Sequence, residues 1–156
     1  MNVLVLGCGL VGRPMALDLA SEDDFNVTIA DINLKNLKKI PSTLPIKKVQ
    51  KDLSNPDQLK SLFKKCDIVI NAVPGFMGFN TLKEIIKAKK NVVDIAFFPE
   101  DPFELDELAK QNNVTAIVDC GVAPGMSNLL TGYINSILDK TETILIFVGG
   151  LPIERD

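Results

Sequence analysis

The chain has 156 residues, 46% hydrophobic and 24% charged, with a net charge of −3. That is room for one ordinary domain with a real core, and it excludes both a disordered chain and two full-sized domains. The acidic balance recruits neither nucleic acid nor an anionic membrane, and no apolar run reaches the about 18 residues of a membrane span.

An apolar run, Val3–Leu6, leads straight into Gly7-Cys8-Gly9-Leu10-Val11-Gly12, and a helix pattern follows over Gly12–Ala20. Strand, glycine turn and helix in that order turn a short glycine string into a dinucleotide-binding signature. Gly7 allows the tight turn, Gly9 lets a pyrophosphate approach the backbone, and Gly12 lets the helix lie close to the strand. The phosphates would meet the N–H groups of Gly9, Leu10, Val11 and Gly12 at the positive end of that helix.

A second apolar run, Val27–Ala30, ends at Asp31-Ile32, before a helix pattern over Leu34–Lys39. A carboxylate there suits the adenosine ribose hydroxyls and repels a 2′-phosphate, which predicts NAD over NADP. Neither Ile32 nor Asn33 is an arginine, and Lys35 is the nearest cation. Asp31 can equally cap the helix that begins near Asn33, and the two roles are compatible. The third run, Ile46–Val49, is followed by Asp52-Leu53, where the carboxylate would receive the adenine amino group and the next N–H would meet the ring. A helix-initiating surface aspartate is the alternative. Ser54-Asn55-Pro56-Asp57 then starts a helix over Pro56–Lys64, with a capping residue ahead of proline.

The fourth run, Ile68–Ala72, closes on Asn71-Ala72-Val73-Pro74-Gly75, whose small residues let a pyrophosphate and a nicotinamide ribose pass over the backbone; Phe76 follows. A helix is expected over Thr81–Ala88. The fifth run, Val92–Ile95, carries Asp94 and Ala96 to its end, and a helix over Pro102–Asn112 follows. The sixth, Thr115–Val118, delivers Asp119. Asp94 and Asp119 are the acid/base candidates, because partial burial where an apolar strand runs out raises a carboxyl pKa. Each can instead hydrogen-bond a neighbouring loop. Gly121–Asn128 is a second glycine-bearing turn, opening a helix over Gly125–Leu138. Its helix end would face the nicotinamide amide or a substrate carboxylate, or it is a purely structural turn. A last run, Thr143–Val148, completes the series.

Alternation of continuous apolar runs with amphipathic segments predicts an α/β, doubly wound fold of the Rossmann type. Its sheet is expected to be mostly parallel, with six to seven strands and helices on both faces. One dinucleotide-binding domain is expected over residues 1–148, with 149–156 starting a connection onward. Cys8, Cys66 and Cys120 are scattered and the chain has no histidine, so neither a disulfide framework nor a metal site is expected. Cys8 reads as packing within the glycine loop, and Cys120 as either pocket lining or a buried small residue. Lysine pairs such as Lys47/Lys48 and Lys64/Lys65 read as solvated faces. Val5-Leu6-Gly7-Cys8 mimics a lipoprotein cleavage site, but too few residues precede it for a signal peptide, and a cytoplasmic location is expected.

Gly7–Gly12 with Arg13, Asp67–Ala72, Asn91–Asp94 and above all Asp119–Met126, together with Asn128, Gly132-Tyr133 and Val148–Pro152, resemble the saccharopine dehydrogenase family. Within it, the chain looks like the lysine 6-dehydrogenase branch. The resemblance implies an NAD(P)-dependent oxidoreductase that acts on a C–N bond of an amino acid related to lysine. Hydride would leave the carbon bearing the amine for the nicotinamide, and water would hydrolyse the resulting imine. It also implies that Asp94 and Ala96 lie at the cofactor–substrate junction. Phe76, Gly121, Pro124, Gly125 and Asn128 would then be on the substrate side. Members of the family are much longer, with a further domain beyond the Gly-Gly-Leu-Pro segment. The chain is therefore expected to be the cofactor half of an enzyme that is a homodimer at full length. The competing reading is a nucleotide-sensing regulatory domain without hydride transfer. A short-chain reductase is excluded, since Tyr133 is followed four residues later by Ile137 instead of lysine.

Overall fold

Val3 and Val5 of the first strand join one apolar cluster, with Ile29, Leu37 and Ile40. Leu4 and Leu6 join another, with Leu59, Phe63 and Ile85. A strand that buries both faces needs cover on both, which is the condition for a parallel sheet with helices above and below. The computed structural model, which describes residues 1–149, has that form. Its strands are β1 (Asn2–Leu6), β2 (Asn26–Asp31), β3 (Lys47–Gln50), β4 (Ile68–Asn71), β5 (Asn91–Asp94) and β6 (Ala116–Ile117). They lie in the order β3-β2-β1-β4-β5-β6, and all neighbouring pairs are parallel. The order reverses beside β1, and ligands of open α/β sheets bind at such a switch point, outside the carboxyl ends of the strands.

The helices are α1 (Gly12–Leu19), α2 (Leu34–Lys38), α3 (Pro56–Phe63), α4 (Gly75–Lys87), α5 (Asp106–Asn112) and α6 (Met126–Ile137), with a 3-10 turn at Pro102–Leu105. Local chemistry explains several starts. Asn55 Oδ1 accepts the N–H groups of Asp57 and Gln58, each at 3.1 Å, and Pro56 occupies the first turn of α3. Asp101 likewise accepts the Phe103 N–H at 2.9 Å. Helix α4 begins at Gly75, well before the Thr81 expected from the apolar spacing. The reason is a close approach: a Cβ on Gly75 would collide with the Phe97 carbonyl, and one on Gly78 would lie 2.8 Å from Ala96 Cβ. Glycines that read as loop residues are helical here because the chain after β5 lies against them.

One further expectation differs from the structure. Thr143–Val148 forms no strand: Leu145 and Phe147 are 73% and 91% exposed, and a ladder needs a partner as well as apolar residues. The sheet therefore has six strands. Contacts also divide the chain after Val118, into a unit covering Met1–Val118 and a second beginning at Asp119. At that point the backbone turns into the left-handed region, with φ 55° at Asp119. Most of the connection expected over 149–156 lies outside the described residues.

Candidate functional site

The turn after β1 is shaped by two contacts. Gly7 has φ 97°, and a Cβ there would sit 2.5 Å from the Ala72 carbonyl oxygen. At Gly12 a Cβ would collide with the Gly7 carbonyl, so α1 starts hard against the strand it follows. Gly9 differs, because a Cβ there would meet nothing within 4 Å. The space beside Gly9 lies outside the protein, where a ligand backbone can approach. The Cys8 N–H donates to Asp31 Oδ2 at 2.7 Å, which ties the turn to the end of β2. The next four N–H groups, of Gly9, Leu10, Val11 and Gly12, have no acceptor among the described residues. No side chain caps α1. Four main-chain donors at the positive end of a helix form a cradle for a diphosphate.

A groove of about 650 Å³ opens from this cradle, within the range of small-ligand pockets. One wall is Gly7, Gly9, Leu10 and Val11; the next is Asp31, Ile32, Asn33 and Asn36, after β2. Asp52, Leu53 and Ser54 follow β3, and Ala72, Val73, Pro74, Phe76 and Met77 follow β4. Every cofactor residue expected from the sequence lines it, except Gly12, Asp94 and Ala96, and Phe76 stands at its edge, 83% exposed. Asn33, Asn36, Ser54 and Met77 were not among the expected residues; the placement of the loops and helix starts after β2, β3 and β4 brings them to the groove. Asp31 braces two backbone segments and does not cap the helix. Oδ1 accepts the Asn33 N–H at 2.6 Å while Oδ2 holds the glycine turn, and each oxygen keeps a lone pair for a ribose hydroxyl. The helix cap itself falls to Asn33, whose Oδ1 accepts the Lys35 N–H at 2.9 Å. Hydrogen bonds from the Ser54 hydroxyl and N–H hold the Asp52 carboxyl below the usual carboxylate range. Burial, and then the charge of Asp31, push the Cys8 thiol up, in keeping with a packing role.

Asp94 departs from its expected place. Its side chain is 0% exposed and off the groove; Oδ2 accepts from Asn71 Nδ2 and Oδ1 from the Ala96 N–H, both at 2.7 Å. Asn71 and Asp94 face each other in register at the ends of β4 and β5. In this arrangement the Asp94 carboxylate holds two strand ends together. Ala96, 7% exposed, packs behind the same corner.

Asp119 belongs to the second unit and is exposed. The turn after it is closed by its own hydrogen bonds. Gly121 O accepts the Met126 N–H at 2.9 Å, Val122 O the Ser127 N–H at 3.0 Å, and Asn128 Oδ1 the Gly125 N–H at 3.1 Å. These three donors are used inside the turn. Pro124, after a cis bond, and Gly125, at φ 131°, complete the loop. Cys120 is half-buried. Among the described residues no cluster of His, Cys, Asp and Glu could hold a metal ion, and no helix is long and apolar enough to cross a membrane.

Comparison with known proteins agrees with this geometry. Residues 3–117 match the family model of the saccharopine dehydrogenase NADP binding domain. Saccharopine dehydrogenase [NADP(+), L-glutamate-forming] from Saccharomyces cerevisiae is 29% identical over 99% of the chain, which covers 36% of that relative. The Pyricularia oryzae protein of the same name is 30% identical over 97% of the chain, covering 34% of its own length. The solved apo saccharopine dehydrogenase (L-Glu forming) from S. cerevisiae superposes with a TM-score of 0.78 at 28% identity, over 86% of this chain and 30% of that one. The chain thus spans about a third of the length of the curated relatives it matches. The match over residues 3–117 places the chain in the saccharopine dehydrogenase family, as its NADP-binding-type Rossmann domain.

Proposed function

We propose that this chain is the cofactor-binding part of an oxidoreductase acting on a C–N bond of a lysine-related amino acid, and that it prefers NAD to NADP. The observation carrying the proposal is the run of four unpartnered N–H groups, Gly9 to Gly12, opening onto a groove that Asp31 and Asp52 border. The diphosphate rests on those amides, the adenosine ribose on Asp31, and the adenine against Asp52 and Leu53. Ala72, Val73 and Pro74 support the nicotinamide half. When bound, the nicotinamide supplies a hydride acceptor, and the chain's own residues bind and orient it.

The preference for NAD is supported by charge. Asp31 stands where a 2′-phosphate would be, and the adjoining Ile32 and Asn33 offer no positive charge to offset it. The relatives named above carry NADP(+) in their names, so the two cofactors give opposite expectations and a titration decides. Micromolar-range NAD binding and weaker NADP binding are expected. Equal affinities would remove the argument from Asp31. Asp31→Asn is the better probe than Asp31→Ala, because an amide oxygen can still accept the Cys8 N–H.

Phe76 and the Gly121, Pro124, Gly125 and Asn128 turn are assigned to the substrate side, and this chain alone is expected not to oxidise lysine or saccharopine. A cytoplasmic location and a homodimer of the full-length enzyme belong to the same reading. Against the competing reading, a nucleotide sensor, stands the match to the saccharopine dehydrogenase family.

A further inference from the structure

The loop from β3 to α3 holds an acceptor and a donor side by side. Asp52 Oδ1 is bound twice by Ser54, through its N–H at 2.9 Å and its hydroxyl at 2.6 Å. The Asp52 N–H donates to Gln58 Oε1 at 3.1 Å, and Asp52 O accepts the Asn55 N–H at 3.2 Å. One oxygen and the whole peptide of Asp52 are thereby tied into the turn. Asp52 Oδ2 and the Leu53 N–H carry no hydrogen bond among the described residues, and Asp52, Leu53 and Ser54 all line the groove. A short side chain held at one oxygen by two donors at once cannot swing the other away. The same two hydrogen bonds lower the Asp52 pKa, so the carboxyl is an acceptor only throughout the neutral range.

Resting on the reading that the adenosine half of a nicotinamide dinucleotide occupies this groove, we infer that Ser54 is a positioning residue that makes Asp52 and Leu53 selective for a 6-aminopurine. Adenine offers an amino donor at C6 and an acceptor at N1, which match a carboxylate oxygen and an N–H. Hypoxanthine offers the reverse at both points, so its 6-oxo group faces a carboxylate and its N1–H faces an N–H. Discrimination of this kind depends on repulsion that cannot relax. Without the Ser54 hydroxyl the carboxylate can turn aside, and the repulsion fades.

The experiment titrates the full chain with NAD and with nicotinamide hypoxanthine dinucleotide by calorimetry, in wild type, Ser54→Ala and Ser54→Thr. The hypoxanthine form is expected to bind about tenfold or more weakly than NAD in wild type. Ser54→Ala, which keeps the backbone hydrogen bond and hence the turn, is expected to reduce that ratio to about threefold, and Ser54→Thr to restore it. Equal binding of the two dinucleotides by wild type overturns the inference while leaving the groove assignment standing. A ratio unchanged in Ser54→Ala, whether or not both affinities fall together, assigns Ser54 a structural role only and also overturns it. Failure of both dinucleotides to bind overturns the groove assignment, and this inference with it.

Discussion

Two glycine turns open helices in this molecule, and they end in opposite states. Before α1, the N–H groups of Gly9 to Gly12 have no acceptor among the described residues, and the one preceding donor, on Cys8, is spent on Asp31. Before α6, Gly121 O, Val122 O and Asn128 Oδ1 take up the donors of Met126, Ser127 and Gly125. Both strings carry glycines at a short spacing, and both precede a helix of ordinary length. What separates a binding turn from a structural one is the fate of its amides. A helix start binds an anion when its donors are left over, and only then does the dipole add to a real site.

The largest way to break this contrast is Gly12→Ala. Its Cβ runs into the Gly7 carbonyl, so α1 must move off β1. A loss of about 3 kcal/mol in urea unfolding is expected, and NAD binding goes with it. Gly9→Ala is the complementary test, since nothing in the protein lies within 4 Å of the added atom. Stability should stay within about 0.5 kcal/mol of wild type while the NAD dissociation constant rises by about thirtyfold, because the new methyl stands where the diphosphate approaches. A Gly9→Ala protein that bound NAD normally would remove the cradle.

Asp31→Asn should shrink the preference for NAD over NADP by about tenfold in parallel titrations, through the loss of one negative charge beside the 2′ position. In the second turn, Asn128→Ala removes the one side chain that accepts the Gly125 N–H. It should cost about 1 kcal/mol locally, read as roughly fivefold faster amide exchange in the first turn of α6. The smallest effect concerns pH. Burial raises the Cys8 and Cys66 thiols above their ordinary value, so the unfolded chain releases those protons first. Their contribution is complete below the ordinary thiol value of about 8.5 and is lost as pH rises through the higher folded values. Urea unfolding of a Cys8→Ala/Cys66→Ala protein should show a flatter alkaline decline than wild type.

Much of the cofactor groove could be read from residue order, because each part of it is local. A strand, a glycine turn and a helix follow one another in sequence, and Asp31, Asp52-Leu53 and Ala72-Val73-Pro74 each stand where a strand ends. What was not legible has a different cause. Asp94 also ends a strand, but its carboxylate turns inward to Asn71, and no single segment contains both residues. Their register across β4 and β5 is the signal, and it exists only after the strands pair. Thr143–Val148 has the composition of a strand and no ladder, since apolar content is local and a pairing partner is not.

By itself the amino-acid order determined the alternation of strands and helices, the parallel layering and the tight glycine turn after the first strand. These follow from periodicity and from backbone conformations that few residues allow. The tertiary structure alone decided which amides stay unpaired, which carboxylates face the groove and where the sheet stops. Those depend on partners distant in sequence, and a hydrogen bond is either made or left open only when both ends have been brought together.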